Sequence, residues 1–145
     1  MNSTKIIIII LMISQRKVFT FNSLETQVAI SKFLENDFSI VYNQSYSYPT
    51  SFDELIEISK NCIDETILCA AGTDNNNAIL MLVSCGNCRS ILKETYLDRP
   101  NLVNGAYWYL TPYYSFGFSP SLNIRQYTSD KFDCGVQTYT GKKLS

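Results

Sequence analysis

The chain has 145 residues, 46% of them hydrophobic and 17% charged, with a formal net charge of −1. These values describe one globular domain able to bury a core, and they exclude both a disordered chain and an electrostatic nucleic-acid binder. There is no histidine, which removes the Ser-His and Cys-His dyads, His-ligated zinc and the usual general base near neutral pH.

The first element is "MNSTKIIIIILMIS", a lysine followed by apolar residues from Ile6 to Ile13. It has the form of a secretory leader with a short hydrophobic region, so residues 1–20 are expected to be a signal peptide or hydrophobic leader. Eight apolar residues cannot span a bilayer, which needs about 20, and no stable membrane span is expected. The alternative is a β-strand, because consecutive isoleucines favour extended backbone. That alternative would fit a cytoplasmic chain.

Residues 21–145 then read as a single α+β domain, with a helical part over about 22–61 and a β-rich part over about 66–145. Asn22-Ser23-Leu24-Glu25 has the spacing of a helix start, and Leu24, Val28, Ile30, Phe33 and Leu34 follow as an apolar face. Asn43-Gln44-Ser45 is an N-glycosylation acceptor triplet if the chain is secreted. Ser51-Phe52-Asp53-Glu54 repeats the capping-box spacing, and Phe52, Leu55, Ile56 and Ser59 predict a helix over 52–60. "TILCAAG" and "AILMLVS" flank a turn-forming "TDNNN" and predict a β-hairpin, its second strand central in a sheet. Residues 89–95 fit a third strand or a helical turn, with the strand preferred, and "LDRPNLVNG" reads as a loop. "AYWYL", "SFGFS", "NIRQY" and "VQTYT" are further short strands separated by prolines and polar turns. The fold expected is thus N-terminal helices followed by a mainly antiparallel sheet or sandwich. The ending "GKKLS" carries no apolar strand, so a C-terminal strand is expected to be missing.

Five cysteines occur, at 62, 69, 85, 88 and 134. Cys85-Gly86-Asn87-Cys88 has the spacing of half a zinc knuckle, but Cys62 and Cys69 are too far apart to supply the second pair. The same motif after an apolar strand resembles the presentation of a thioredoxin dithiol, without the usual Trp before it and Pro within it. The preferred reading is structural. With the hairpin turn centred on Asn75-Asn76, Cys62 lies opposite Cys88 and the two are expected to bond. Cys69 would face Leu82 as a buried thiol, leaving Cys85 to pair with Cys134.

Seven aromatic residues lie between Tyr107 and Phe118. On a strand, Ala106, Trp108 and Leu110 share one face and Tyr107 and Tyr109 the other. If the Trp108 face is core, Tyr107, Tyr109, Tyr113 and Tyr114 form an exposed platform suited to sugar C–H faces. The competing reading is that these tyrosines are half-buried sheet residues.

This block, "YWYLTPYYSFGFSP", with "ILCAAGTDNNNAILMLVSCG" before it, resembles a loosely defined group of eukaryotic proteins of no established activity. Most of them carry secretory signals. The resemblance covers roughly residues 59–145, and in that group the chain continues into a Trp- and Gly-rich ending. It implies secretion and a β-rich domain, and it carries no chemistry. The expected function is a secreted, non-catalytic, lectin-like binding module for glycan or extracellular protein, with no cofactor and no nucleic-acid partner. Two alternatives stand beside it: a thiol oxidoreductase using Cys85 and Cys88, and a structural fragment of a larger extracellular protein.

Overall fold

Two antiparallel sheets pack through one apolar layer in the computed structural model, which describes residues 7–13, 24–45, 51–63, 65–73, 78–94, 101–110 and 116–119. The larger sheet contains β1 (Ile7–Ile13), β2 (Glu25–Ala29), β3 (Ser39–Ser45), β4 (Ile67–Thr73) and β5 (Ile79–Asn87) in the spatial order β2-β5-β4-β1-β3. The smaller contains β6 (Asn101–Val103), β7 (Ala106–Leu110) and β8 (Phe116–Ser119) in sequence order. Three short helices complete the described residues: α1 (Ser31–Leu34), α2 (Phe52–Ser59) and α3 (Cys88–Glu94).

The isoleucine run takes its strand form. β1 pairs with β3 on one side and β4 on the other, and Ile9 to Leu11 are fully buried. Its side chains alternate between two cores, as the period of a strand requires. Ile10 and Met12 face α2, α3 and the small sheet, while Ile9, Leu11 and Ile13 face Phe33 and Phe38. Strand propensity and two-sided burial therefore agree at this element.

The expected helical part over 22–61 holds two strands, β2 and β3, beside the helices α1 and α2. Residues 25–29 form β2, paired to β5 with Glu25 opposite Val83 and Val28 opposite Leu80. The apolar positions of this stretch fit a helical stripe equally well, and pairing to the apolar edge of β5 decides for the strand. Only the four-residue α1 follows. It ends in a Schellman motif: the Phe38 amide donates to Phe33 O at 3.1 Å and the Asp37 amide to Leu34 O at 3.3 Å. Asp37 takes the left-handed backbone of that closure, with φ 69°.

α2 matches its expected range. The Ser51 hydroxyl accepts from the Glu54 amide at 3.2 Å, and the Glu54 carboxylate accepts from the Ser51 amide at 2.8 Å. The buried stripe is Leu55, Ile58 and then Cys62, not the stripe through Ile56, which is exposed.

The β4–β5 hairpin forms in a different register from the one expected. Cys69 faces Cys85, not Leu82, and Gly72 faces Leu82. A bulge then brings Thr73 opposite Leu80, leaving Met81 as the extra residue. The ladder is placed by burial along both strands, and the centre of the asparagine cluster does not set it.

Two further corrections concern the segments after β5. Residues 88–94 are the helix α3, not a strand: the Asn87 side chain accepts from the Ser90 amide at 3.0 Å and caps it. Within the expected loop, Asn101–Val103 is the strand β6. Asn104 (φ 50°) and Gly105 (φ 82°) join it to β7 in a two-residue turn with both residues left-handed. β7 and β8 occupy the expected "AYWYL" and "SFGFS". The expected strands "NIRQY" and "VQTYT", and the proposed gap after "GKKLS", lie outside the described residues.

Candidate functional site

The cysteine motif is divided between two faces of the large sheet. Cys85 lies within β5, two residues before its end, and bonds to Cys69 directly across the ladder, with Cα atoms 4.1 Å apart. Cys88 opens α3 and bonds to Cys62 just beyond α2, with Cα atoms 5.5 Å apart. The expected Cys62–Cys88 bond is present just outside the paired strands, where it ties the segment after α2 to the start of α3. The expected Cys85–Cys134 bond is replaced by Cys69–Cys85, because the register shift brings Cys69 opposite Cys85. Cys134 itself lies outside the described residues. Cys85 and Cys88 therefore do not form a dithiol with each other; each belongs to a separate buried bridge.

Gly86 and Asn87, between the two cysteines, each have a structural task. A Cβ on Gly86 would stand 2.7 Å from Val103 Cγ1 and 3.2 Å from Ile91 Cδ1. The missing side chain lets β6 and α3 close over the end of β5. The approach is fastened by two amide donors: Asn104 Nδ2 to Cys85 O at 3.0 Å and Asn101 Nδ2 to Ser90 O at 2.7 Å. Arg89 Nε donates to Cys62 O at 3.3 Å, and the Cys88 amide to Thr66 O at 2.8 Å. The motif is a junction between the two sheets.

The aromatic segment is more buried than a platform allows. Trp108 and Ala106 are fully buried, as expected of a core face, and the indole stacks at an angle on Phe116 and Phe118, 5.7 and 5.1 Å between centroids. Tyr109, on the opposite face of β7, is only 4% exposed. It is thus a core residue and not part of a contact surface. Tyr107 is half-buried beside Leu102, its partner in β6, which is 57% exposed. Tyr113 and Tyr114 lie outside the described residues.

A concavity lies at the C-terminal end of β1. An open groove of about 390 Å³ has Met12, Ile13 and Val41 as its apolar wall and Asp37, Ser39, Asn61 and Thr66 as polar groups. Its volume falls within the range of small-molecule sites. The Thr66 hydroxyl is buried and accepts from the Ile63 amide at 3.0 Å. One carboxylate, an amide and two hydroxyls over apolar side chains can hold a polyhydroxylated or amine-bearing ligand. Nothing in the sequence pattern marked these residues, because they come from β1, the end of α1, β3 and the loops around α2 and β4.

Asn43 is exposed on β3, at the edge of the large sheet. Among the described residues, no cluster of cysteine, aspartate and glutamate side chains has the arrangement of a metal centre. No helix among them is long and apolar enough to cross a membrane.

Fold and site together define a mainly antiparallel β domain braced by two buried disulfides, a form that fits an oxidising compartment. Searches against protein-family models, curated proteins and solved structures return no match for this chain.

Proposed function

We propose that the chain is a secreted, non-catalytic binding module that contacts glycan or protein partners in the manner of a lectin. The observation carrying this reading is the pair of buried disulfides, one on each face of the same sheet. Bridges so placed stabilise a domain in an oxidising space and occupy all four cysteines that a thiol enzyme of this sequence would draw on first. The absence of histidine and the resemblance of the "YWY…SFGFSP" block to mostly secreted proteins support the same reading. The strand form of the isoleucine run does not oppose it, because the disulfides speak to compartment more directly than the leader does.

Two sets of residues are candidates for the contact: the tyrosines singled out in the sequence, of which Tyr107 is described and half-buried, and the Asp37 groove. A glycan array separates them. Loss of binding in Y107A, Y113A and Y114A with D37N unaffected assigns the tyrosines, and the reverse assigns the groove. No binding by the oxidised, monomeric protein to any glycan removes the lectin-like reading.

A further inference from the structure

The two edges of the large sheet are defended differently. At one edge, β2 has only five residues and carries the charge of Glu25, held 3.7 Å from Lys32. Its backbone is broken by Gln27 with φ 54°. An irregular, charged edge is a poor template for a foreign strand. At the other edge, β3 reads Ser-Ile-Val-Tyr-Asn-Gln-Ser, seven residues with neither charge nor proline. Ile40 is 41% exposed there, and among the described residues no strand pairs with the outer side of β3. High β propensity without charge, on an edge that no described strand covers, invites pairing with a second chain. The ladder between β1 and β3 is interrupted only by the bulge between Ile10 and Leu11, at Val41.

In the middle of this edge stands Asn43, exposed, with Gln44 and Ser45 completing the acceptor triplet. Asn43 lies opposite Ile9, on the face of the sheet that also presents Ile40 opposite Leu11. We propose that Asn43 carries an N-linked glycan and that this glycan covers the β3 edge. The modification joins the Asn43 side-chain nitrogen to the sugar donated by a lipid-linked oligosaccharide, with the lipid pyrophosphate leaving. The inference rests on the secreted reading, since the transfer takes place only in the secretory lumen.

The test is expression of the full chain in a eukaryotic secretory host, followed by intact mass and peptide mapping with and without peptide-N-glycosidase. The wild type is expected to lose the mass of one N-linked oligosaccharide, with Asn43 converted to Asp. N43Q is expected to lack that shift; the chain's other triplet, Asn2-Ser3-Thr4, is distinguished by the same comparison. Enzymatic deglycosylation of the folded protein avoids any question of misfolding. It is expected to move a monomer on size exclusion towards dimers and larger species, as N43Q does. Secreted, disulfide-bonded protein with unmodified Asn43 overturns the proposal and leaves the secreted reading intact. Protein held in the cytosol with reduced cysteines overturns both. A glycosylated Asn43 whose removal leaves the protein monomeric overturns the covering role.

Discussion

Replacing Gly86 by alanine tests the junction between the two sheets. The new Cβ would lie 2.7 Å from Val103 Cγ1, well inside contact distance, and 3.2 Å from Ile91 Cδ1. Val103 is buried, β-branched and fixed by its place opposite Ala106 at a tight turn, so its methyl has little room to swing aside. Overpacking of this kind costs about 1–3 kcal/mol, offset by roughly 0.5–1 kcal/mol gained when a strand glycine becomes alanine. The expected net loss for G86A is about 1–2 kcal/mol. V103A alone removes two buried methyl groups and should cost about 2 kcal/mol through transfer and cavity terms. In the double variant, the methyl group added by G86A takes the space that Val103 Cγ1 vacates. The pair should therefore be less damaging than the sum by about 1 kcal/mol or more, well above the few tenths expected of independent sites. Urea unfolding of the oxidised protein measures this, with the single tryptophan as probe: Trp108 lies in the same core as Val103. Strictly additive losses, at unchanged dependence on denaturant, would refute the claim that Gly86 is required by the approach of β6.

The two disulfides are nested, and their losses should reflect it. Closing the inner bridge, Cys69–Cys85, spans a separation of 16 and is worth about 3 kcal/mol in the chain-entropy model. With it in place, the outer bridge closes only the remaining 26 − 16 = 10 residues and adds about 2.7 kcal/mol. Compared with the wild type by denaturant unfolding, C62A/C88A should lose about 2.7 kcal/mol and C69A/C85A, in which the outer bridge closes the whole separation of 26, about 2 kcal/mol; equal stability of all three would dismiss the bridges as braces. Y109A should destabilise by about 3–5 kcal/mol as a core truncation, while Y107A should stay within about 1.5 kcal/mol, and thermal melts rank them directly. D37G should raise stability by about 0.5–1 kcal/mol through relief of the left-handed backbone; a groove ligand found by the array should then be lost from the same variant.

Local signals were legible where one residue pattern permitted one structure. Ser51 and Glu54 marked α2, the apolar runs around Cys69 and Leu82 marked β4 and β5, and Trp108 marked a core face. Asn104-Gly105 and the Asn87 cap were equally local signals for the β6–β7 turn and for α3, and reading "LDRPNLVNG" as a loop and "CRSILKE" as a strand passed over them. The stretch from Leu24 to Leu34 was different in kind. Its apolar spacing suits a helix throughout, and only the edge of β5, some fifty residues on, makes residues 25–29 a strand and leaves the helix to 31–34. The hairpin register likewise depends on neighbours on both sides of each strand, not on the turn alone. The Asp37 groove had no sequence signature, since its polar groups converge only through the ladder between β1 and β3 and the loop before β4.

The place of β1 has a consequence for the order in which the chain is made. Its partners in β4 run from Ile67, opposite Ile13, to Thr73, opposite Ile7, separations of 67 − 13 = 54 and 73 − 7 = 66 residues. Pairings this distant close late and slow the folding of a domain. This apolar strand is therefore synthesised well before its β4 partners and is among the last to be covered. Throughout that interval five consecutive isoleucines, Ile6 to Ile10, stand open to whatever binds short hydrophobic segments on a growing chain. In this protein the residues that read as a leader in the sequence form the centre of the sheet, so a chain that lost them would lose the strand that joins β3 to β4.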